Sequence, residues 1–533
     1  MDLTTGILLG IVGALALLAL RDRFFGTTSV IRNFPVIGHI RYWLISVGPE
    51  LRQYLVAHNR EEKPFNRCQR QWIEHTADGS NNFFGFGTDA EPYVSGYWII
   101  KHSQTPYGEL SFADKGESHK SYALPCAKTI GKWHKRPNPY QPPSLINISA
   151  MSFGALSARA VSSLNKGAKL ANCYQNTGEG GLAPYHEFGA DVIYQIGTGL
   201  FGCRSAEGRF DAEKLKALVA RVPQVKAIEI KLSQGAKPGK GGVLPGKKVS
   251  AEIALIRTVQ EGKDCISPNR HVEFSTPAEL IAFIEKVAAV SQRPVGIKSA
   301  IGALEFWHEL ADLMAKDQTR GPDFITIDGG EGGTGAAPLA FADHVSLPFK
   351  VAFPRVYKIF LDKGIADKVV WIGSAKLGFP DRALVAFAMG VDSINIAREA
   401  MLSIGCIQAQ KCHTNHCPTG VATQSKWLQR GIDVERQSHH LANYIDGFRK
   451  ELTALAHACG YAHPSQIKAT DIEIGNGVYK YSKLSEIIGY EPLRQTDDLH
   501  TEHFQMPIMQ EAAMVKRHQT MRLTKEDMAR ARN

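Results

Sequence analysis

Three cysteines stand within twelve residues of one another in GCIQAQKCHTNHCPTG (405–420): Cys406, Cys412 and Cys417, with His413 and His416 between them. The whole chain holds nine cysteines in 533 residues, so a third of them sit in one short loop. A disulfide cannot use three thiols, and a packed core has no need of the His, Asn, Thr and Pro around them. Zinc, an iron–sulfur cluster and a redox thiol set all use such ligands. A second chemical stretch, SQGAKPGKGGVLPGKKV (233–249), is too rich in Gly and Pro for a helix and too long for a passive turn. Loops of that kind cover active sites or carry substrate contacts. Its Lys237, Lys240, Lys247 and Lys248 suit a carboxylate substrate, although solvated surface lysines account equally simply for the last two.

The elements that must position these loops are legible from residue 145 onward. Short β-branched runs occur at 145–150, 173–178, 192–197, 227–233, 295–300, 323–329, 369–374 and 393–397. Helical patterns such as DAEKLKALVARV and PAELIAFIEKVAAV follow most of them. Apolar strands alternating with helices predict a parallel sheet buried on both faces. Eight of them across roughly 250 residues predict a (β/α)8 TIM barrel. An open doubly wound sheet is the competing architecture, and no switch-point motif supports it.

In such a barrel the chemistry belongs to the loops after the C-terminal strand ends. Those ends form a polar, glycine-rich series. Met151, Ser152 and Gly154 follow the first strand, and Asn176 to Gly180, including Glu179, follow the second. Gln195 lies in the third; Lys231, Ser233, Gln234 and Lys237 surround the end of the fourth. Lys298 lies in the fifth, and Asp328 to Gly333, with Gly329 and Gly330, follow the sixth. Gly373, Ser374 and Lys376 follow the seventh; Ala397 and Arg398 follow the eighth. The turns GSAK and NIAREA set backbone N–H groups and Arg398 where a phosphate is held after strands seven and eight. Lys298 in the barrel mouth would stabilise negative charge on a flavin ring, which suggests FMN; a structural ion pair is its alternative role. GEGGTG (330–335) lacks dinucleotide-binding spacing, so electrons are expected from an external donor.

Apolar content of 44% and a charged fraction of 21% describe an ordinary globular body. The net charge of +10 is spread along the chain without a dense basic run, which gives no argument for nucleic acid. The six other cysteines show no pairing pattern, as in a reducing compartment. Leu3–Leu20 is an uncharged run of about the minimum length that spans a bilayer. Asp2 stands where a signal peptide would carry positive charge, and Arg21, Arg23 and Arg32 follow the run. The expectation is a retained single-pass anchor over 1–24 with the body on the cytoplasmic side; an interfacial helix and a cleaved segment are the alternatives. An irregular, aromatic-rich subdomain is expected over 25–140, the barrel over 141–430, and a helical extension over 431–533 with a charged tail (RLTKEDMARARN).

Over roughly residues 140–430 the chain resembles the FMN-binding synthase domain of glutamate synthase. The motifs carrying the resemblance are SAMSFGALS, NTGEGG, IEIKLSQGAKPGKGGVLPG, DFITIDGGEGGTGAAP and GCIQAQKCHTNHCPTGVATQ. EEKPFNRCQRQW and NNFFGFGTD resemble the stand-alone members of that family. The resemblance implies that Cys406, Cys412 and Cys417 hold a 3Fe-4S cluster; zinc with His413 or His416 as a fourth ligand is the alternative. It implies that Glu179 is the active-site glutamate and that Lys237 contacts the 2-oxo acid. It further implies that Gln195, Lys231 and Lys298 face flavin or substrate. The expected reaction is reductive amination of a 2-oxo acid, 2-oxoglutarate to glutamate, with ammonia or another amine. A ferredoxin or a reductase subunit would supply the electrons. Where the family's loop reads GEGGQ, this chain has Lys240 for the acid and Val243 for the glutamine, which weakens the ammonia link. Neither the family's glutaminase domain nor its β-helix is read in the sequence, so no use of glutamine by this chain alone is expected. Action on another amine or imino acid, and a membrane-tethered electron-transfer subunit without a substrate site, are the alternative functions.

Overall fold

In a computed structural model of the chain, residues 2–26, 28–107 and 123–493 are described; the charged tail and the rest of 494–533 lie outside them. The chain divides into two compact units, Met1–Trp72 and Ile73–Asn533.

In the first unit, helix α1 (Leu3–Phe25) is capped by Asp2, whose side chain accepts from Thr5 N at 2.8 Å. By length and composition it is long and apolar enough to cross a membrane, and none of its apolar window is buried. Helix α2 (Gly38–Leu51) follows and runs directly into a wider turn, Arg52–Val56.

The second unit is built on eight parallel strands: β1 (Ile146–Ile148), β2 (Gln175–Asn176), β3 (Val192–Ile196), β4 (Val225–Lys231), β5 (Val295–Ser299), β6 (Phe324–Asp328), β7 (Val370–Ser374) and β8 (Ser393–Ile396). They pair in chain order and close, with β8 returning to β1 through Ile394↔Ile146 and Ile396↔Ile148. The chain is therefore a TIM barrel, and all eight strands fall on the β-branched runs. Both strand faces are buried, as parallel strands covered by helices require. Helices α3 (Ala158–Leu170) and α4 (Val434–Ala458) pack so closely that a Cβ on Gly167 would lie 2.8 Å from Leu441.

Two features depart from the sequence reading. The segment after α4 is not wholly helical. Ile472–Gly477 and Lys480–Lys483 form an antiparallel sheet with Trp98–Ile100 from far upstream, a pairing local pattern cannot signal. Val243–Leu244 of the lysine-rich loop after β4 also pairs antiparallel with Cys265–Ile266, beyond an intervening helix at Ala251–Arg257.

Candidate active site

The site is centred on Glu179, in the turn after β2. That turn needs glycine: Gly178 has φ +68°, and a Cβ there would come 2.8 Å from Ser152 N, so the turn crosses directly over Met151–Ser152. Two further bare Cα atoms flank the carboxylate. A Cβ on Gly197 would lie 2.6 Å from Glu179 Oε2, and one on Gly242 would lie 2.8 Å from Oε1. Lys231 Nζ, at the end of β4, sits 2.8 Å from Glu179 Oε1 and donates to Gln234 Oε1 at 3.2 Å. Gln234 in turn donates to Gly333 O at 2.9 Å, tying the lysine-rich loop to the turn after β6. Glu179, Thr198, Lys231, Gln234, Lys240 and Asn269 line one narrow pocket.

Electrostatics keep this site charged. Burial opposes ionisation of Glu179, but Lys231, with Lys237 and Arg257 behind it, outweighs burial and holds the carboxyl below its ordinary range. Burial lowers the Lys237 ammonium, and the neighbouring Lys231 charge adds to the effect. Recessed cations with one shared carboxylate leave a net positive pocket.

The loop is docked by its first glycine. Gly235 N donates to Asp328 Oδ2 at 2.9 Å, and a Cβ on Gly235 would come 1.9 Å from Gly329 O. Asp328 Oδ1 also stands 3.6 Å from Lys298 Nζ, so Lys298 is ion-paired. Lys298 is the register partner of Lys231 on adjacent strands, which places both at one level of the barrel.

Gln195 is committed inward. Its Nε2 donates to Glu229 Oε1 at 2.6 Å, while Asn176 donates to the same oxygen and Thr326 to Oε2. Glu229 is fully buried and was absent from the sequence reading. Its signal was available: an acid in the apolar strand AIEIK, two residues before Lys231 and so on the same face. His271 and Arg257 carried no such signal. His271 donates Nε2–H to Lys231 O at 2.9 Å, leaving buried Nδ1 without a partner among the described residues, and burial lowers its pKa to about 4. Arg257 Nη2 donates to Phe153 O at 3.0 Å and lies where a Cβ on Gly180 would come within 2.7 Å.

The turns after β7 and β8 form a cationic corner. Lys376, at φ +35°, is lowered to about 8 by burial and by the charges of Arg382 and Arg398. Arg382 donates to Lys376 O at 3.3 Å, and Arg398 donates to Glu331 O. A Cβ on Gly333 would lie 2.6 Å from Arg398 Cδ, so the bare glycine lets the Arg398 side chain lie against the turn. Ser374 O accepts from Gly329 N at 2.9 Å, which joins the β6 and β7 turns; Ala397 directly precedes Arg398. Gly373 faces Phe349 and Leu377, and Gly330 faces the Ser346 carbonyl. Lys298, Lys350, Lys376, Arg382 and Arg398 here meet the carboxylates of Asp328, Glu331, Asp381 and Glu399, so the balance suits an anion such as the FMN phosphate.

The cysteine loop is held by strained backbone. Gln408, Gln410 and Asn415 all have φ between +54° and +67°, and Thr423 Oγ1 donates to Asn415 O at 2.6 Å. Cys406, Cys412 and Cys417 are free thiols on this loop, while His413 and His416 are exposed. Burial pushes the Cys406 thiol up to about 12, and Cys412 rises for the same reason with Cys417 nearby. Among the described residues no three His, Cys, Asp or Glu side chains are gathered tightly enough for a single metal ion. The donor set still suits an iron–sulfur group, since three thiols share the loop and both Cys412 and Cys417 act on Cys406.

Lys248 corrects the surface-lysine reading. It is buried, and its Nζ donates to Cys412 O at 2.8 Å and Ala422 O at 3.0 Å, so the substrate-side loop is pinned to the cysteine loop. Lys247 is exposed. The two carbonyls it satisfies are the physical reason a lysine is drawn inside.

Comparison with known proteins matches residues 117–462 to the conserved region in glutamate synthase. The glutamate synthase large subunit-like protein YerD of Bacillus subtilis is 43% identical over 464 residues, 82% of this chain and 88% of that protein. An archaeal glutamate synthase (NADPH) of Methanocaldococcus jannaschii is 33% identical over 347 residues, 64% of each chain. A ferredoxin-dependent glutamate synthase of Cyanidium caldarium is 32% identical over 336 residues, 60% of this chain and 21% of that one. The chain thus spans less than two thirds of these last two relatives.

Proposed function

The chain belongs to the glutamate synthase family, and from that premise we propose that it is an oxidoreductase that reductively aminates a 2-oxo acid, most simply 2-oxoglutarate to glutamate. The observation that carries this reading is the 2.8 Å Glu179–Lys231 pair beside Lys237, under a glycine-rich loop. Lys231 and Lys237 bind the carboxylate and keto oxygen of the 2-oxo acid. Glu179, ionised and recessed, accepts or returns the protons exchanged as the amine adds to the keto carbon and the keto oxygen leaves as water, giving the imine that is then reduced. Gln234 orients Lys231 through its Gly333 contact.

Lys376, Arg382 and Arg398 would hold the FMN phosphate, with Met151, Ser152, Gly329, Gly330, Gly373, Ser374 and Ala397 in the surrounding turns and Lys298 at the ring. Cys406, Cys412 and Cys417 would hold a 3Fe-4S cluster. Bound, the two groups supply hydride and single-electron transfer respectively, with electrons from an external donor such as a ferredoxin or a reductase subunit. Helix α1 would anchor the chain as a single membrane span.

A different amine remains the second reading, because Lys240 stands in the pocket where the family's loop carries an acid. Anaerobic reduction of the purified protein, followed by a screen of 2-oxo acids with ammonia and other amines, tests both through flavin reoxidation. Reoxidation by 2-oxoglutarate and ammonia supports the first reading, and reoxidation only with another amine supports the second. Reoxidation by no pair overturns both and favours a pure electron carrier.

A further inference from the structure

We propose that helix α2 is an in-plane, anionic-lipid-binding element of the bilayer surface, distinct from the spanning helix α1. Ile37, Ile40, Leu44, Leu51 and Leu55 recur at helical spacing along α2 and the turn that continues it, and each is between 44% and 77% exposed. Trp43 and Ile45, also exposed, widen the stripe, and Ile37, Ile40, Arg41, Leu44 and Ile45 line one open apolar recess. An apolar face this long, left unpartnered by the described residues of its own unit, marks an interaction surface.

Charge selects the occupant. Residues 21–60 carry Arg21, Arg23, Arg32, Arg41, Arg52 and Arg60 against only Asp22 and Glu50. Arg41 and Arg52 interrupt the stripe itself. Apolar face and adjoining cations together describe a helix lying at an anionic headgroup layer. A symmetric dimer on this face would set the arginines of one copy against those of the other, which disfavours a second copy.

The corner between the two helices is built to keep α2 at that level. Buried Asp22, in the last turns of α1, accepts from Val36 N at 2.9 Å and pairs with His39 Nε2 at 2.8 Å. Tyr42 donates to Thr28 Oγ1 at 2.7 Å, and Arg32 Nε to Gly26 O at 2.7 Å. These bonds tie the start of α2 to the end of α1, where Arg21 and Arg23 mark headgroup depth. The inference rests on the anchor reading for that depth, and the experiment separates the two.

Full-length protein and three full-length variants are floated with vesicles of phosphatidylcholine alone or mixed with phosphatidylglycerol. The variants are Leu9→Arg/Leu15→Arg, which weakens α1; Ile40→Glu/Leu44→Glu; and all four changes together. Flavin absorbance confirms an intact barrel in each. Wild type should float with both vesicle types. The α1 variant should float only with phosphatidylglycerol and detach in high salt. Adding the Glu pair should lower its floated fraction by about tenfold or more. Wild type and the α1 variant both floating with phosphatidylglycerol alone, with loss only on the Glu pair, would refute the anchor and support the α2 surface. An α1 variant that ignores phosphatidylglycerol, or whose flotation ignores the Glu pair, overturns the inference. So does a vesicle-free dimer that the Glu pair alone splits.

Discussion

Replacing Glu179 by glutamine keeps the shape of the side chain and removes its charge from among Lys231, Lys237 and Arg257. At 2.8 Å from Lys231, the Coulomb attraction is about 6 kcal/mol at an effective dielectric of ~20. Desolvation returns most of it, leaving a net charge-assisted hydrogen bond of about 1.5–3 kcal/mol. The glutamine oxygen still accepts from the Lys231 ammonium, a bond of about 1 kcal/mol, so the variant should lose about 0.5–2 kcal/mol of stability at neutral pH. The sign of the pH dependence follows from the depressed carboxyl. Its folded value lies below the ordinary 4.5, so the wild-type advantage is present above 4.5 and vanishes as pH falls through the lower folded value. Denaturant unfolding at neutral and acid pH measures both. Chemistry gives a second readout. Loss of the proton acceptor should cut turnover by on the order of a hundredfold or more, measured by stopped-flow flavin reoxidation. Binding of the 2-oxo acid should hold or tighten, since the pocket becomes more positive. Unchanged turnover at normal flavin content would refute the role of Glu179. A loss of binding equal to the loss of turnover would refute it equally, because the residue would then be a ground-state contact.

Lys237→Ala removes a buried charge-assisted contact of about 1.5–3 kcal/mol, so 2-oxo acid binding should weaken roughly ten- to a hundredfold by equilibrium titration. Cys412→Ser should abolish iron content and the oxidised-cluster EPR signal while flavin stays bound, because the cationic corner at Lys376 and Arg398 is untouched; stoichiometric zinc in the wild type would defeat the cluster assignment. Gly235→Ala forces a Cβ to within 1.9 Å of Gly329 O, so the loop cannot seat against β6. Binding should fall as far as in Lys237→Ala, at a stability cost of about 1–3 kcal/mol, checked by titration and thermal melting.

Local pattern determined the barrel. Each apolar β-branched run records its own burial on both faces, and that is information a strand carries without its neighbours. The same holds for the concentration of Cys406, Cys412 and Cys417 on one loop, and for the apolar stretch that became α1. What joins distant segments was decided only by closure of the barrel. The Glu179–Lys231 pair forms because β2 and β4 end at one rim, and the commitment of Gln195 to Glu229 depends on strands β3 and β4 lying side by side. Lys248 looked like a solvated lysine because nothing near it in sequence requires a donor; the Cys412 and Ala422 carbonyls that draw it inside lie more than 160 residues away. Arg257 and His271 were silent for the same reason, since the groups they touch, the Phe153 carbonyl after β1 and the Lys231 carbonyl at the end of β4, lie far from them in sequence. Propensity and periodicity describe a residue's own element, whereas hydrogen-bond demand and buried charge are satisfied across elements, at distances the closed barrel alone sets.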